Sequence, residues 1–546
     1  MIDLLQLFYV ILILGGTLVI AKLIAPYIFR IYTRAPGRLD RILNPIENRI
    51  YRLTWVNPDR MMGWKEYFFA GFLVNIAQMV VAFLILSFQG VLPLNPQGFP
   101  GLRWDLSFHT VISFATNTNL QHYNGEATLS YFSQMSAIQF LQFTSAATGI
   151  CMGIAMVRGF IRGSKDMGNF YADFVRTLTR LLIPLCLVGS LILVVLSVPQ
   201  SLSGYTPVKT VEGATQSILV GPVASLVSIM QIGTNGGGFY GANSAYPFQN
   251  PNPLSNILEI GMMLLLPAAL IFVFGELIGK RREARPILIA AYVIFGIDLA
   301  IAFIQTTTLG PGIETRFGGF FSAFWTVVTT HVTTGSVNAP LAAFHPLVHL
   351  AGFMGMLIQS VPGGKGVGLM YMIMYVVITV FIVGLMSGRT PEYLGIKITG
   401  RDVKLVMIAF LIHPLIILIP TTITYATGSA TAIGVGHNSV DFTKVLWEFT
   451  TSAANNGSDF FGAAANTPFF NISTAIVIFI GRYLPMFLLL ALAGSMIGRK
   501  RSDEVGLRTD SITFSLVLVG AIIILVALTF LPFLALGPIG SYFGGT

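Results

Sequence analysis

The chain has 546 residues, of which 54% are hydrophobic and 10% charged, with a mean hydropathy of +0.75. Soluble domains carry about 25% charged residues, so a soluble globular fold is excluded and an all-α polytopic membrane protein is expected. The net charge of +9 does not describe a nucleic-acid surface, because 25 of the 32 Lys and Arg fall in five short stretches between apolar runs. These are Arg30 to Lys65, Arg158 to Arg180, Lys280 to Arg285, Arg389 to Lys404 and Arg499 to Arg508. The pattern is the positive-inside signal of a protein in a plasma membrane, with the lipid bilayer rather than nucleic acid as its partner. Cys151 and Cys186 lie in or beside apolar runs and read as buried thiols without a disulfide framework.

Runs long enough to cross a bilayer lie at Leu4 to Phe29, Glu66 to Ser87, Tyr131 to Val157, Val175 to Val198 and Leu254 to Ile278. Five more follow at Pro286 to Ile304, Met354 to Met386, Lys404 to Thr422, Ile472 to Ile497 and Ile512 to Leu534. The first run is longer than a signal-peptide core and its positive flank comes after it, so it is expected to remain as an anchor with the N-terminus outside. Ten crossings then return the C-terminus outside and put every basic stretch in the cytoplasm.

Four small polar loops interrupt this apolar chain on the outer side: Asn117-Thr118-Asn119-Leu120-Gln121, Gly233-Thr234-Asn235-Gly236-Gly237-Gly238-Phe239, Thr333-Thr334-Gly335-Ser336-Val337-Asn338 and Asn455-Asn456-Gly457-Ser458. A shift of 221 positions superimposes Asn235 on Asn456, Gly236 on Gly457, Phe239 on Phe460, Gly241 on Gly462, Pro247 on Pro468 and Asn250 on Asn471. Asn119, Gly236, Gly335 and Gly457 are separated by 117, 99 and 122 residues, a period of about two crossings plus loops. The expected organisation is a first helix and cytoplasmic loop (1–65), four helix/pore-loop/helix repeats (66–160, 161–280, 281–390, 391–500) and a last helix (501–546). Irregular backbone at membrane depth is tolerated where protein covers it or it lines a path for water or ions. Four such loops can close a ring whose carbonyls and small polar side chains replace the hydration shell of a potassium ion.

The segments before the loops, Trp104 to Ala115, Ser217 to Ile232, Gly319 to Val332 and Thr443 to Ala453, are too short to cross and too apolar for solvated loops. Each is expected to be a pore helix with the negative end of its dipole toward the ring. The seventh run contains Pro362-Gly363-Gly364-Lys365-Gly366-Val367-Gly368. Proline and glycine should break the helix there, and Lys365 within the break favours an aqueous cavity. Arg482, inside the ninth run, is expected below the ring; either it faces inward and limits occupancy to one cation, or it pairs with a carboxylate such as Asp298. His345 and His349, spaced i, i+4, read as membrane-interface histidines rather than metal ligands.

No Gly-x-x-x-x-Gly-Lys-Ser/Thr loop and no Asp-Lys-Thr-Gly phosphorylation motif is present. Gly233 to Gly238 follows an apolar segment rather than a strand, so it is no dinucleotide fingerprint. No catalytic residue is assigned and no nucleotide is expected on this chain.

The four loops, in this order and with this glycine-rich second member, resemble the family of potassium-binding subunits (KdpA) of bacterial Kdp potassium-transporting P-type ATPases. The similarity runs over essentially the whole chain, including the broken seventh crossing and Arg482. The resemblance implies the channel-like fold of the superfamily of potassium transporters. It also implies that Asn117, Thr118, Asn119, Thr234, Asn235, Gly236, Thr333, Thr334, Gly335, Asn455, Asn456 and Gly457 form a potassium filter flanked by Gln121. Gly363, Gly364, Lys365, Gly366 and Arg482 would stand on the pathway beneath it. A catalytic P-type ATPase subunit, a single-span accessory subunit and a very small membrane subunit are the implied partners, in a bacterial inner membrane. In the family the ion leaves sideways through a tunnel into the ATPase subunit, while the broken helix blocks direct passage. Asp459, at the mouth, stands where the family pattern has a small residue. Only three of the four loops carry glycine at the central position, with Asn119 in the first, so tight binding of one ion is expected over rapid multi-ion conduction. The alternative is a secondary potassium symporter or channel-like transporter without an ATPase partner; a multi-pass membrane enzyme lacks the acid, base and metal constellation it needs.

Overall fold

The computed structural model describes residues 4–305, 312–501 and 508–544, so the basic stretch Arg499 to Arg508 lies partly outside the described residues. Ten helices among them are long and apolar enough to cross a membrane: Leu4–Thr33, Trp64–Ser87, Tyr131–Gly159, Phe170–Val195, Pro253–Leu277, Arg281–Phe303, Val367–Met386, Gly400–Ala426, Pro468–Met496 and Ile512–Leu536. Their burial separates centre from rim. In the third helix 89% of the most apolar window is buried, against 17% in the first. The first packs along Pro253–Leu277 and turns Leu4, Ile11, Val19 and Leu23 outward, as a lipid-facing helix must.

Four shorter helices, Trp104–Ala115, Val223–Ile232, Gly318–His331 and Ser439–Ala453, stand between the crossings. At about 1.5 Å per residue they reach between about half and three quarters of the way through a bilayer core. The second begins later than the run from Ser217 predicts. Thr215–Ile218 pairs instead with Thr206–Lys209 as an antiparallel hairpin, and Pro222 immediately precedes the helix; its missing N–H suits a helix start and not a helix interior. The fourth begins earlier, at Ser439, because the Asn438 side chain caps it by accepting from the Asp441 N–H at 2.8 Å.

The 221-residue shift holds through the second and fourth loops and fails after them. Pro253 and Pro468 are the first residues of the crossing helices that follow. Twelve residues separate Gly241 from Pro253 and six separate Gly462 from Pro468. Pro468 and Asn471 therefore correspond to Pro253 and Asn256, not to Pro247 and Asn250.

The seventh run is two helices, Pro346–Ile358 and Val367–Met386. The first starts eight positions before Met354, with Pro346 at its first turn and the His345 side chain as its cap. His349 is buried and not interfacial, its Nε2 lying 2.8 Å from the Leu341 carbonyl. On the side of the basic stretches, Arg180 anchors the amphipathic helix Asp40–Leu53, donating to Glu47 at 2.6 and 2.9 Å and to Asn44 at 2.6 Å. The same guanidinium bonds Asp40 and holds its carboxyl below the usual carboxylate range.

Candidate ion-binding site

Each short helix ends in the same way. Asn117, Thr234, Thr333 and Asn455 adopt left-handed φ angles of 68°, 40°, 49° and 53°. The N–H of the next residue then bonds the carbonyl five positions back: Thr118 to Ser113 at 2.9 Å, Asn235 to Met230 at 2.9 Å, Thr334 to Thr329 at 2.8 Å and Asn456 to Thr451 at 2.9 Å. This is a Schellman-type C-terminal cap. Two positions on, Asn119, Gly236, Gly335 and Gly457 are left-handed again, at 56°, 81°, 89° and 100°, while the residue between is not. Alternating the hand of φ along a chain turns successive carbonyls to one side, so each loop presents a column of oxygens instead of the two-sided array of a strand.

The loops close head to tail. A Cβ on Gly236 would collide with the Thr334 carbonyl, one on Gly335 with that of Asn456, and one on Gly457 with that of Thr118. Glycine is required at these three places for close approach and for φ alike. The fourth contact is different in kind: Asn119 donates Nδ2 to the Gly236 carbonyl at 3.0 Å. Two more rungs repeat this spacing, Asn117 Nδ2 to the Thr234 carbonyl at 2.7 Å and Gln121 Nε2 to the Gly238 carbonyl at 3.1 Å. Loops one and two are thus laced by three side-chain amides bonded to backbone carbonyls, where the other seams bring a glycine Cα against the neighbouring carbonyl.

All twelve loop residues named from the sequence converge here, with Gln121 at the end of the amide ladder. The break Gln359 to Gly366 packs directly beneath them. Gly363 N–H bonds the His331 carbonyl at 3.0 Å, a Cβ on Gly364 would strike Thr333 Oγ1, and one on Gly366 would strike the Gly149 carbonyl. Lys365 does not sit free in an open cavity. Its Nζ donates to Asn117 Oδ1 at 2.7 Å and to Thr234 Oγ1 at 3.2 Å, reaching up to the first residues of loops one and two. Arg482 is buried, with Nη2 3.4 Å from the Ser145 carbonyl and Nε without a partner. It does not pair with Asp298, which bonds His331 at 2.8 Å. Lys365, Arg482, Asn117, Thr333, Gln359 and Asn455 line one cavity of about 10 Å³, without a carboxylate among its lining residues. Guanidinium stays charged in proteins, so carbonyl oxygens stand above this floor and fixed positive charge stands within it.

Sequence reasoning missed the support from the third crossing. Gln142 Nε2 donates to the Gly236 carbonyl at 3.2 Å, and Ser145 Oγ to Asn117 Oδ1 at 3.1 Å. The available signal was Gln139, Gln142, Ser145 and Thr148 recurring along an otherwise apolar helix, since polar groups inside a membrane bundle mark pathways.

Residues 10–543 match the family described as potassium-transporting ATPase A subunit. A potassium-transporting ATPase potassium-binding subunit from Caldanaerobacter subterraneus subsp. tengcongensis is 42% identical, with 96% of this chain and 97% of that one covered. One from Alicyclobacillus acidocaldarius subsp. acidocaldarius is 45% identical, covering 94% and 95%. The crystal structure of the potassium transporter TrkH from Vibrio parahaemolyticus shares the fold at 16% identity, with a TM-score of 0.51 over 77% of this chain and 84% of that one. By sequence over nearly its whole length, this multi-pass membrane chain belongs to the family of potassium-transporting ATPase A subunits.

Proposed function

We propose that this chain is the potassium-binding and translocating subunit of an ATP-driven importer. Extracellular potassium binds in the ring of Asn117 to Asn119, Thr234 to Gly236, Thr333 to Gly335 and Asn455 to Gly457, with Gln121 at its flank, and passes to a partner that hydrolyses ATP. The observation that carries this reading is the fourfold alternation of φ closed by three glycine contacts, since a ring of carbonyls selects by replacing hydration. The chain itself contributes no catalytic site and no nucleotide site. Its partners are a P-type ATPase subunit, a single-span accessory subunit and a very small membrane subunit. The repeats run over 66–160, 161–280, 281–390 and 391–500, between a first segment 1–65 and a last 501–546. Lys365, Arg482 and the folded break at Gly363, Gly364 and Gly366 obstruct the direct route to the cytoplasm, which an importer working against a gradient requires.

Gly236→Asp tests the ring. A carboxylate placed against the Thr334 carbonyl should raise the half-saturating potassium of the complex's ATPase activity and loosen discrimination against rubidium and ammonium. Unchanged half-saturation and selectivity would remove the ring from ion binding. Orientation in the bacterial inner membrane, with both termini outside, follows from the basic stretches. Single cysteines at Arg162, Lys280 and Lys500 should be shielded from an impermeant thiol reagent in intact cells, and one at Lys209 should react. The native thiols of Cys151 and Cys186 are buried and give little background; the reverse labelling pattern would invert the model of ion entry.

A further inference from the structure

Behind the seam where loops one and four meet lies a cluster that the ring does not use. His122 follows loop one, Glu448 is on the fourth short helix and Asp459 follows loop four; one ligand atom from each lies within 4.8 Å of the others. Hydrogen bonding fixes the imidazole. Asn471 donates Nδ2 to Asp105 Oδ2 and to Asn466 Oδ1, both at 3.0 Å. Its Oδ1 therefore faces His122 Nδ1 at 2.7 Å, and Nδ1 carries the proton. His122 Nε2 then lies 3.1 Å from Glu448 Oε1. With a neutral imidazole two acceptors face each other, so the pair needs a cation between them, either a second imidazole proton or a metal ion. Glu448 is fully buried, and its second oxygen, Oε2, has no hydrogen-bond donor at all. Unpaired buried carboxylate is too costly to stand, and the one donor Asp459 receives is the Gly462 N–H at 3.0 Å.

We propose that His122, Glu448 and Asp459 bind a divalent transition-metal ion of the zinc class, which bridges the first and fourth repeats. The donor set is one imidazole nitrogen and two carboxylates, a combination zinc accepts with water in a fourth position. Bonds of about 2.0 Å at tetrahedral angles put ligand atoms about 3.3 Å apart, close to the separation of Nε2 and Oε1. Closing the third ligand needs a rotation of Asp459, which is only partly buried. The Nδ1–H donated to Asn471 is the outer-sphere bond that metal-ligating histidines make. Two carboxylates neutralise the ion, and its bonds tie together the two ends of the ring, where Gly457 meets Thr118. Position by position the other repeats lack the set: Glu448 corresponds to Thr110, Val227 and Thr326, and Asp459 to Gln121, Gly238 and Val337.

The test uses the purified complex, stripped with a chelator and titrated with zinc sulfate, against Asp459→Asn and Glu448→Gln complexes. Bound zinc is counted by elemental analysis, and the melting temperature is followed. The wild type should retain one zinc per chain more than either variant, with affinity falling about tenfold or more in Asp459→Asn, and zinc should raise the melting temperature of the wild type alone. Asp459→Asn removes no buried anchor and keeps the test valid should Glu448→Gln fail to assemble. Equal zinc in wild type and Asp459→Asn, or no zinc retained, would overturn the proposal; the second result would mean that a proton shared by His122 and Glu448 resolves the facing acceptors.

Discussion

The third and fourth repeats begin alike and end differently. In each, a buried tryptophan on the short helix ties down the loop: Trp325 donates to the Ser336 carbonyl at 2.8 Å and Trp447 to that of Ser458 at 3.0 Å. In each, a left-handed glycine, Gly335 or Gly457, receives the next carbonyl, and the following helix opens on proline, Pro346 or Pro468. Beyond that point the third repeat stops at Ile358 and restarts at Val367, whereas the fourth runs unbroken for 29 residues. At the shift of 122, Ser360 in the break corresponds to Arg482 in the continuous helix. The upper half is a local device, a cap plus an anchor plus a glycine, that can be repeated. The lower half is where the repeats diverge, and there one contributes a folded break and the other a fixed charge.

The largest effects should come from the shared half. Gly335→Ala and Gly457→Ala each force a Cβ onto a neighbouring carbonyl at a φ that alanine disfavours, which costs well over about 1 kcal/mol. Half-saturating potassium for ATPase activity should rise about a hundredfold or more in both, at roughly 1.4 kcal/mol per decade. Gly462→Ala, also left-handed but facing open space, should shift it by less than about threefold. Similar shifts at Gly457 and Gly462 would show that close packing of the ring does not set affinity.

The lower half should govern leakage instead of affinity. Lys365→Met keeps length and removes the donor to Asn117 and Thr234, a charge-assisted bond worth about 1.5–3 kcal/mol. Passive potassium flux in proteoliposomes without ATP should rise about tenfold, and deletion of Gly363 to Gly366 should raise it at least as far, while ion binding at Gly236 and Gly335 persists. Wild-type flux in a folded deletion complex would place the obstruction elsewhere.

Much of this was legible because membrane chemistry restricts what a polar loop can be. Thr, Asn and Gly recurring after short apolar segments leave a re-entrant loop as the consistent reading, and Pro362 to Gly368 mark the break by composition alone. The amide ladder from Asn117, Asn119 and Gln121 to Thr234, Gly236 and Gly238 was not legible. It depends on side-chain direction across two segments 117 residues apart, which no local pattern encodes. The destination of Lys365 is hidden for the same reason, and nothing in the sequence shows that His331 occupies Asp298 and leaves Arg482 without it. The start of the second short helix is ambiguous in sequence where Ser217 and Ile218 mix polar and apolar character, and tertiary pairing with Thr206–Lys209 decides for strand.

The smallest effect bears most directly on whether the two upper halves are equivalent. Trp325→Phe and Trp447→Phe keep an aromatic ring in the site and remove one buried N–H donor apiece. For Trp447 the ring packing against Phe353 and Phe460, at 4.9 and 5.6 Å between centroids, should largely persist. A neutral buried hydrogen bond contributes about 1 kcal/mol, so each variant should raise half-saturating potassium about fivefold. Because the anchors match in partner and spacing, the two shifts should agree within about twofold. His109 occupies the corresponding position in the first repeat, where neither ring nitrogen has a partner, so His109→Phe should produce a smaller shift than either. If Trp447→Phe exceeds Trp325→Phe by about tenfold or more, the fourth loop holds the ion on different terms from the third, and the likeness of their upper halves is one of shape without shared energetics.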